Sequence, residues 1–475
     1  MLRHCGGAMR IACLALALGV LAVDGCDLPD EPNLNGPLVT NCETITTVVG
    51  AQNCSLGLLR GDRVHAENEI IEGESIGRDG FVITASEGRW ETELLGLSID
   101  PSGFLGIRAW PYDVIRLANI TLHGVRAAPA SVLDAPHKAA ALGYLQTIKA
   151  LEYLRAVETR DTAGAPIDVD IDPTLPPAPL RCKHDVLNYI ATLLDSAAAS
   201  LATGGTEFPF ALPAGFAGFD KPATFLTFNR GLAAKADVYL AFRNYPAAPD
   251  LVALDSADTA LAHSFMAQDP SKLEIGPEHN YSTISGDATN SLFDADTGST
   301  TYVANPRDSS EADLNDGRVA RKTARSKPRS GNGVASDIVL LLYRSPTAPL
   351  KILTNKELLL LKAEVEWGQS NLTGPGSAMD FANFIRTNDG GLGADNTSTT
   401  SAAVLTRVLY EKRYSLLWQS AARWIDARQF GNLSPAAPGF IGQERGNDPL
   451  WNLPLPQNEQ NARGGNLTKQ CTAGP

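Results

Sequence analysis

LYEKRYSLLWQSAARWIDARQFG, residues 409–431, followed by LPLPQNEQNARG, residues 453–464, is the stretch whose reading decides the fold. Around the first piece, Leu405, Val408, Leu409, Leu416, Leu417 and Trp424 recur at mostly three-, four- and seven-residue steps, the spacing of one helical face against a core. One amphipathic helix, or two abutting, is expected. Arg407 lies four residues before Glu411 and Arg423 three before Asp426, so opposite charges can meet along that helix. Gly431 supplies left-handed geometry just past its last turn. Pro454 and Pro456 bar a helix from continuing through the second piece, which is expected to run extended before a polar tail.

Working outward, the same periodicity recurs. FLGIRAWPYDVIRLANITLHGV (Phe104 to Val125) carries Ile107, Trp110, Val114, Leu117, Ile120 and Leu122 on one stripe, with Pro111 near a helix start or kink. His137 to Arg160 has Leu142, Leu145, Ile148, Leu151 and Leu154, the expected antiparallel partner. Lys183 to Leu201, Pro222 to Tyr245 and Leu251 to Met266 continue the helical series, and Thr44 to Glu72 precedes it, followed by a strand-like Phe81 to Ala85. Thr354 and Glu357 form a capping box ahead of helix Lys356 to Gln369, and helix Met379 to Thr387 follows. Residues 269–336 differ: Gly, Ser, Asn, Asp and Thr dominate, periodicity vanishes, and so long an irregular stretch is expected to be functional surface. Its basic run, Arg318 to Arg329, reads as a solvated loop, and Ile338 to Tyr343 as a strand.

Glu411, Arg413, Leu416, Arg423, Trp424, Asp426 and Arg428, with Pro454, Pro456, Glu459 and Asn461, resemble the terminal helix and proline-rich segment of the SusD-like (RagB/SusD) nutrient-binding lipoproteins. Trp110, Tyr112, Ile115 and Asn119 match a second cadence of that family. The sequence departs from it at Gln419-Ser420, where the family has Glu-Gly. The resemblance implies a mainly α fold, an array of tetratricopeptide-type helical pairs with a loop-rich ligand face and a few short strands. It also implies a SusC-type TonB-dependent transporter as partner and capture of a glycan or other small nutrient at the outer surface of the outer membrane. Periodicity itself establishes helical pairs without a clean 34-residue register.

Composition is compatible with this. The 475 residues are 44% hydrophobic and 20% charged, an ordinary globular balance. A net charge of −13 argues against a nucleic-acid partner. Arg3 and Arg10 precede the short apolar run Ile11 to Val23, a targeting signal over residues 1–25, and small residues before Cys26 resemble a lipoprotein cleavage site. Lipidation of Cys26 would anchor a soluble body (residues 38–475) through a tether at 26–37, so contact with the membrane is through lipid alone. An ordinary cleaved signal is the alternative. Cys42, Cys54, Cys182 and Cys471 remain, compatible with two disulfides; Cys42 to Cys54 closes the shorter loop, and Cys182 to Cys471 would tie down the tail.

Familiar nucleophile, zinc and phosphate motifs are absent from the sequence. Asp168, Asp170 and Asp172 alternate as in the opening of a calcium loop, but Pro173 takes the turn-glycine position and excludes an EF-hand; an irregular calcium site and a solvated loop stay open. No other cofactor is indicated. Glu364 with Glu366, and Glu411 with Asp426, are weak glycosidase pairs, since the first two point apart on a helix. Flat rings suit sugar faces, so the candidate ligand contacts are Tyr281, Phe293, Tyr302 and Trp451, with Phe208 and Phe210 in the segment before Pro222; packing against the helical body is the alternative for each, and one or two are expected to touch ligand. Non-catalytic capture is the leading reading; a secreted helical glycan-degrading enzyme and a helical protein-binding scaffold are the alternatives.

Overall fold

The computed structural model describes residues 39–472, apart from 97, 109, 173 and 295–301. The signal, the tether and Cys26 therefore lie outside the described residues. Ten helices build the array: α1 (Val48–Ile76), α2 (Tyr112–Ala127), α3 (Ala135–Arg160), α4 (Lys183–Ala202), α5 (Pro222–Ala241), α6 (Leu251–Ala262), α7 (Asn355–Gly368), α8 (Ala378–Asn388), α9 (Ser401–Leu416) and α10 (Ala422–Gln429). From α2 to α6 each packs on the next, α6 meets α7, α7 to α10 continue the series, and α10 returns to α1. Polar caps set several starts. Thr47, Asp134, Asp250, Thr354, Ser377 and Thr400 each accept a backbone N–H of the first turn, about 1 kcal/mol apiece. Among the described residues no helix is long and apolar enough to cross a membrane.

The apolar stripes meet as their periodicity predicts, with Leu145, Ile148, Val186, Ile190, Phe225, Phe228 and Leu232 in one continuous core. That core is threaded by ions. Arg155 reaches Asp62 and Glu69 at 2.6 Å each, His279 reaches Asp62 at 2.8 Å, and Lys235 reaches Glu158 at 2.8 Å. Buried ions demand such pairing, because each desolvated charge costs several kcal/mol alone.

A four-stranded sheet covers one part of α1. Strands β1 (Gly80–Val82), β2 (Tyr302–Ala304), β3 (Thr323–Gly331) and β4 (Val334–Leu340) lie in the order β1-β2-β4-β3, all antiparallel. Asn332 (φ 45°) and Gly333 (φ 91°) close the β3–β4 hairpin, since a two-residue turn of this twist needs positive φ at both positions. Pro328 is tolerated because β3 is the edge strand.

Four expectations are overturned by the structure. Residues 269–336 are not continuously irregular, because they contain β2, β3 and the helix Gly317–Lys322. The basic run is not a solvated loop: Arg318 is fully buried, with Asp316 and Glu411 each at 2.7 Å, and Lys322 donates to the Tyr414 and Ser415 carbonyls. Asp316 is two residues away, but Glu411, Tyr414 and Ser415 lie far along the chain, where local charge patterning cannot reveal them. Phe104 to Val125 divides into Phe104–Arg108 and α2, with Pro111 at the start of α2 as expected. Pro456 caps a short helix, Gln457–Ala462, so the tail is not extended throughout. Arg423 turns away from Asp426 toward Asp79 and Glu311, and Asp426 pairs with Lys412 at 2.9 Å.

The decisive stretch forms two helices. Between α9 and α10 the chain turns at Trp418, whose φ is 55° and whose indole is fully buried. Its Nε1 donates to the Asp79 carbonyl at 3.2 Å, its backbone N–H to Glu74 at 2.8 Å, and its carbonyl accepts from the Tyr343 hydroxyl at 2.7 Å. Arg428 donates to the Glu158 carbonyl at 2.6 Å, and Trp424 to the Leu450 carbonyl at 2.8 Å. Arg407 and Glu411 pair at 3.5 Å, and Gly431 adopts φ 77° beyond the last turn, both as expected. This segment closes the array on α1 and α3. Both disulfides form, Cys42–Cys54 clipping the start of α1 and Cys182–Cys471 holding the tail beside α4.

Candidate functional site

Beyond β1 the chain makes a short helix, Arg89–Thr92, then a second, Phe104–Arg108. Each is too short to bury its rings completely, so Trp90 and Phe104 stay partly exposed. Their centroids are 5.1 Å apart, edge to face. The Arg89 guanidinium lies 4.6 Å from the Phe104 centroid, and Arg108 lies 5.3 Å from Trp90 and 5.9 Å from Phe104. Asn332 at the hairpin tip donates to Glu91 at 3.3 Å, fixing the tip against the Trp90 helix. Tyr302 stands opposite Val82 in the sheet and is partly buried with Trp90 against one cluster. Burial pushes its hydroxyl up to about 12, although Arg108 draws it down, so it stays a neutral donor and acceptor.

Chemically, this is a set of flat apolar faces edged by guanidinium donors. Such an arrangement takes the C–H face of a sugar ring while donating to its hydroxyls. Nε of Arg108 has no hydrogen-bond partner among the described residues, whereas Arg89 is held by Glu87 at 2.6 Å.

The expected ligand residues divide. Tyr302 is partly buried, its ring centroid 5.9 Å from that of the buried Trp418, and packs against the same cluster as Trp90. Phe293 is partly exposed on the segment that reaches Asp294 and is described again from Tyr302 onward. Trp451 is 46% exposed, with Nε1 donating to Asp161 at 3.1 Å, on the C-terminal segment. Tyr281 is instead buried, with Arg63 5.1 Å from its ring centroid, and packs among core residues. Phe208 and Phe210 are also core: they pack with Tyr144 at 6.2 and 5.5 Å, filling the end of the α3–α5 layer. The three aspartates do not converge. Asp168 pairs with Arg181 at 2.9 Å, Asp170 with His123 at 2.9 Å, and Asp172 accepts from the Thr174 N–H at 2.9 Å. No group of three metal-ligating side chains occurs among the described residues. Neither Trp90 nor Phe104 sits in the irregular stretch; the signal the sequence carries is Arg89 adjacent to Trp90 and Arg108 four residues after Phe104.

A larger concavity, about 680 Å³, opens between α9 and the loop after α10. Its rings include Tyr245, Tyr410, Phe430 and Phe440, and its ionised groups include Arg413, Arg423 and Glu311. Arg413 binds Asp79 and Asp308 at 2.9 Å and Glu311 at 2.7 Å; Arg423 also reaches Asp79 and Glu311. Burial, then the neighbouring Asp79, raises the Asp308 carboxyl well above the usual carboxylate range. The glycosidase pairs are spent on structure: Glu364 meets Lys412 at 2.6 Å, and Glu411 is held by Arg318 and Arg386.

No family model and no curated protein matches this sequence. Solved structures do. A SusD superfamily protein from Bacteroides fragilis NCTC 9343 is 15% identical with a TM-score of 0.63, over 88% of this chain and 98% of its own. One from Bacteroides thetaiotaomicron VPI-5482 is 14% identical with a TM-score of 0.64, over 88% and 99%. A further solved structure, of a protein with a xylogluco-oligosaccharide, is 14% identical with a TM-score of 0.65, over 89% of this chain and 98% of its own. These superpositions give the chain the fold of the SusD superfamily.

Proposed function

We propose that this protein is a glycan-binding lipoprotein of the SusD type, held at the outer membrane by lipid on Cys26 and facing outward. It captures an oligosaccharide and passes it to a SusC-type TonB-dependent transporter, breaking no bond. The observation that carries the reading is the platform of Trp90, Phe104 and Tyr302 edged by Arg89 and Arg108, set on the sheet side of this fold. The complex of a similarly folded protein with a xylogluco-oligosaccharide supports the ligand class. Phe293 and Trp451 are proposed as outlying contacts for a longer glycan. Commitment of Glu364, Glu411 and Asp426 to buried cations supports binding over hydrolysis.

The test is retention of the protein in native gels containing xyloglucan, other β-glucans, starch or mannan, with reducing-sugar release measured alongside. Retention by one polysaccharide without sugar release is expected. Release of sugar would favour the enzyme reading.

A further inference from the structure

The cleft between α9 and the loop after α10 is separate in its residues from the platform. One wall is a single face of α9, where Ala402, Leu405, Thr406, Leu409, Tyr410 and Arg413 follow the three- and four-residue spacing of a helix. Facing it are Tyr245, Phe430 and the loop carrying Phe440, with Tyr245 and Phe430 packed edge to face at 5.4 Å. A shallower groove of about 450 Å³ adjoins and shares Glu311, Ala402, Thr406 and Tyr410. A volume of this order holds a molecule of one or two rings.

Its charges exclude an anion. Arg413 meets three carboxylates and Arg423 two, while Arg407 in the groove meets Asp313 at 2.8 Å and Asp395 at 3.0 Å. No guanidinium lining the two concavities is left for a ligand carboxylate. Both arginine bonds to Glu311 fall on Oε2, leaving Oε1 as an acceptor, and Glu311 borders both concavities. Rings on the walls and a hydroxyl acceptor on the floor match an uncharged sugar.

We propose that this cleft is a second ligand site, which takes one or two neutral sugar rings and rejects uronic or sialic acids. The saccharide class rests on the proposed function; the exclusion of anions rests on the ion pairs alone. Thr406 is exposed and lines both concavities, so Thr406→Trp fills the cleft from a position outside the core. Calorimetric titration of the full chain would use cellobiose, maltose and lactose, with a glucuronic-acid-containing disaccharide as the acidic probe. Phe440→Ala provides an independent change on the loop, and circular dichroism verifies folding. At least one neutral disaccharide should bind, at least ten-fold tighter than the acidic probe, and either substitution should weaken it at least ten-fold. Trp90→Ala should leave it within two-fold. Absence of binding by all three neutral probes, equal binding of the acidic one, or affinity unchanged by Thr406→Trp would overturn the cleft assignment. Loss on Trp90→Ala would also overturn it, placing the disaccharide on the platform. Failure of polysaccharide retention with disaccharide binding intact would instead refute the platform.

Discussion

Replacing Arg413 by Met tests whether the closing segment holds the array together through charge. The guanidinium touches Asp79, Asp308 and Glu311, of which Asp79 is 1% and Asp308 0% exposed, and Arg423 would then reach only Asp79 and Glu311. Removing one partner from a buried ion cluster costs about 3–5 kcal/mol. With an unfolding entropy of about 2.1 cal/mol/K per residue, a body of this size loses about 1 °C of Tm per kcal/mol, so a drop of about 3–5 °C is expected. The deficit should depend on pH. Asp308 already sits well above the usual carboxylate range, through burial first and Asp79 second, and loss of Arg413 raises it further. A carboxyl with a raised folded pKa keeps its stability below the unfolded value and loses it as pH climbs through the folded value. The penalty should therefore be largest above neutrality and shrink toward pH 4. Urea unfolding of Arg413→Met and wild type at pH 5 and pH 8 measures this. A loss under about 1 kcal/mol at both pH values, or one that grows toward pH 5, would refute the reasoning.

Further outcomes follow from single contacts. Glu72 is fully buried with neither carboxylate oxygen hydrogen-bonded among the described residues; burial raises it to about 8 against the pull of Arg160 and Arg108. Stability should fall by about 1.4 kcal/mol per pH unit from this group between about pH 4.5 and 8, and Glu72→Gln should flatten that slope in pH-dependent unfolding. Phe208→Ala or Phe210→Ala should cost about 3–5 kcal/mol in urea unfolding while leaving glycan affinity unchanged, because both rings are core. Replacing Cys182 and Cys471 together by Ser should cost about 2–4 kcal/mol and speed proteolysis at Lys469–Gln470, now paired with Leu180–Arg181.

Much of the helical body was legible because its apolar spacing is local: α3, α4 and the Thr354 cap fall within two residues of expectation. What periodicity could not supply was long-range charge. Arg318 reads as solvated until Glu411 and Ser415 close around it, and Arg423 looks bound to its own helix until Asp79 arrives from β1's approach. The hairpin carried a signal, Asn332-Gly333, hidden by the polar composition of its strands. Aromatic type alone did not predict exposure: Tyr281, Phe208 and Phe210 found apolar partners, whereas Trp90 and Phe104 lie on helices too short to cover them.

The proposed function stands or falls on glycan binding by the platform without cleavage. The most direct measurement is the affinity of the full chain for whichever polysaccharide retains it, compared with Trp90→Ala and Arg108→Ala at matched circular dichroism. Loss of ring stacking should cost about 1–1.5 kcal/mol, roughly ten-fold in Kd, with no reducing sugar released by any of the three proteins. Unchanged affinity in both variants, or accumulation of reducing ends with the wild type, would contradict it.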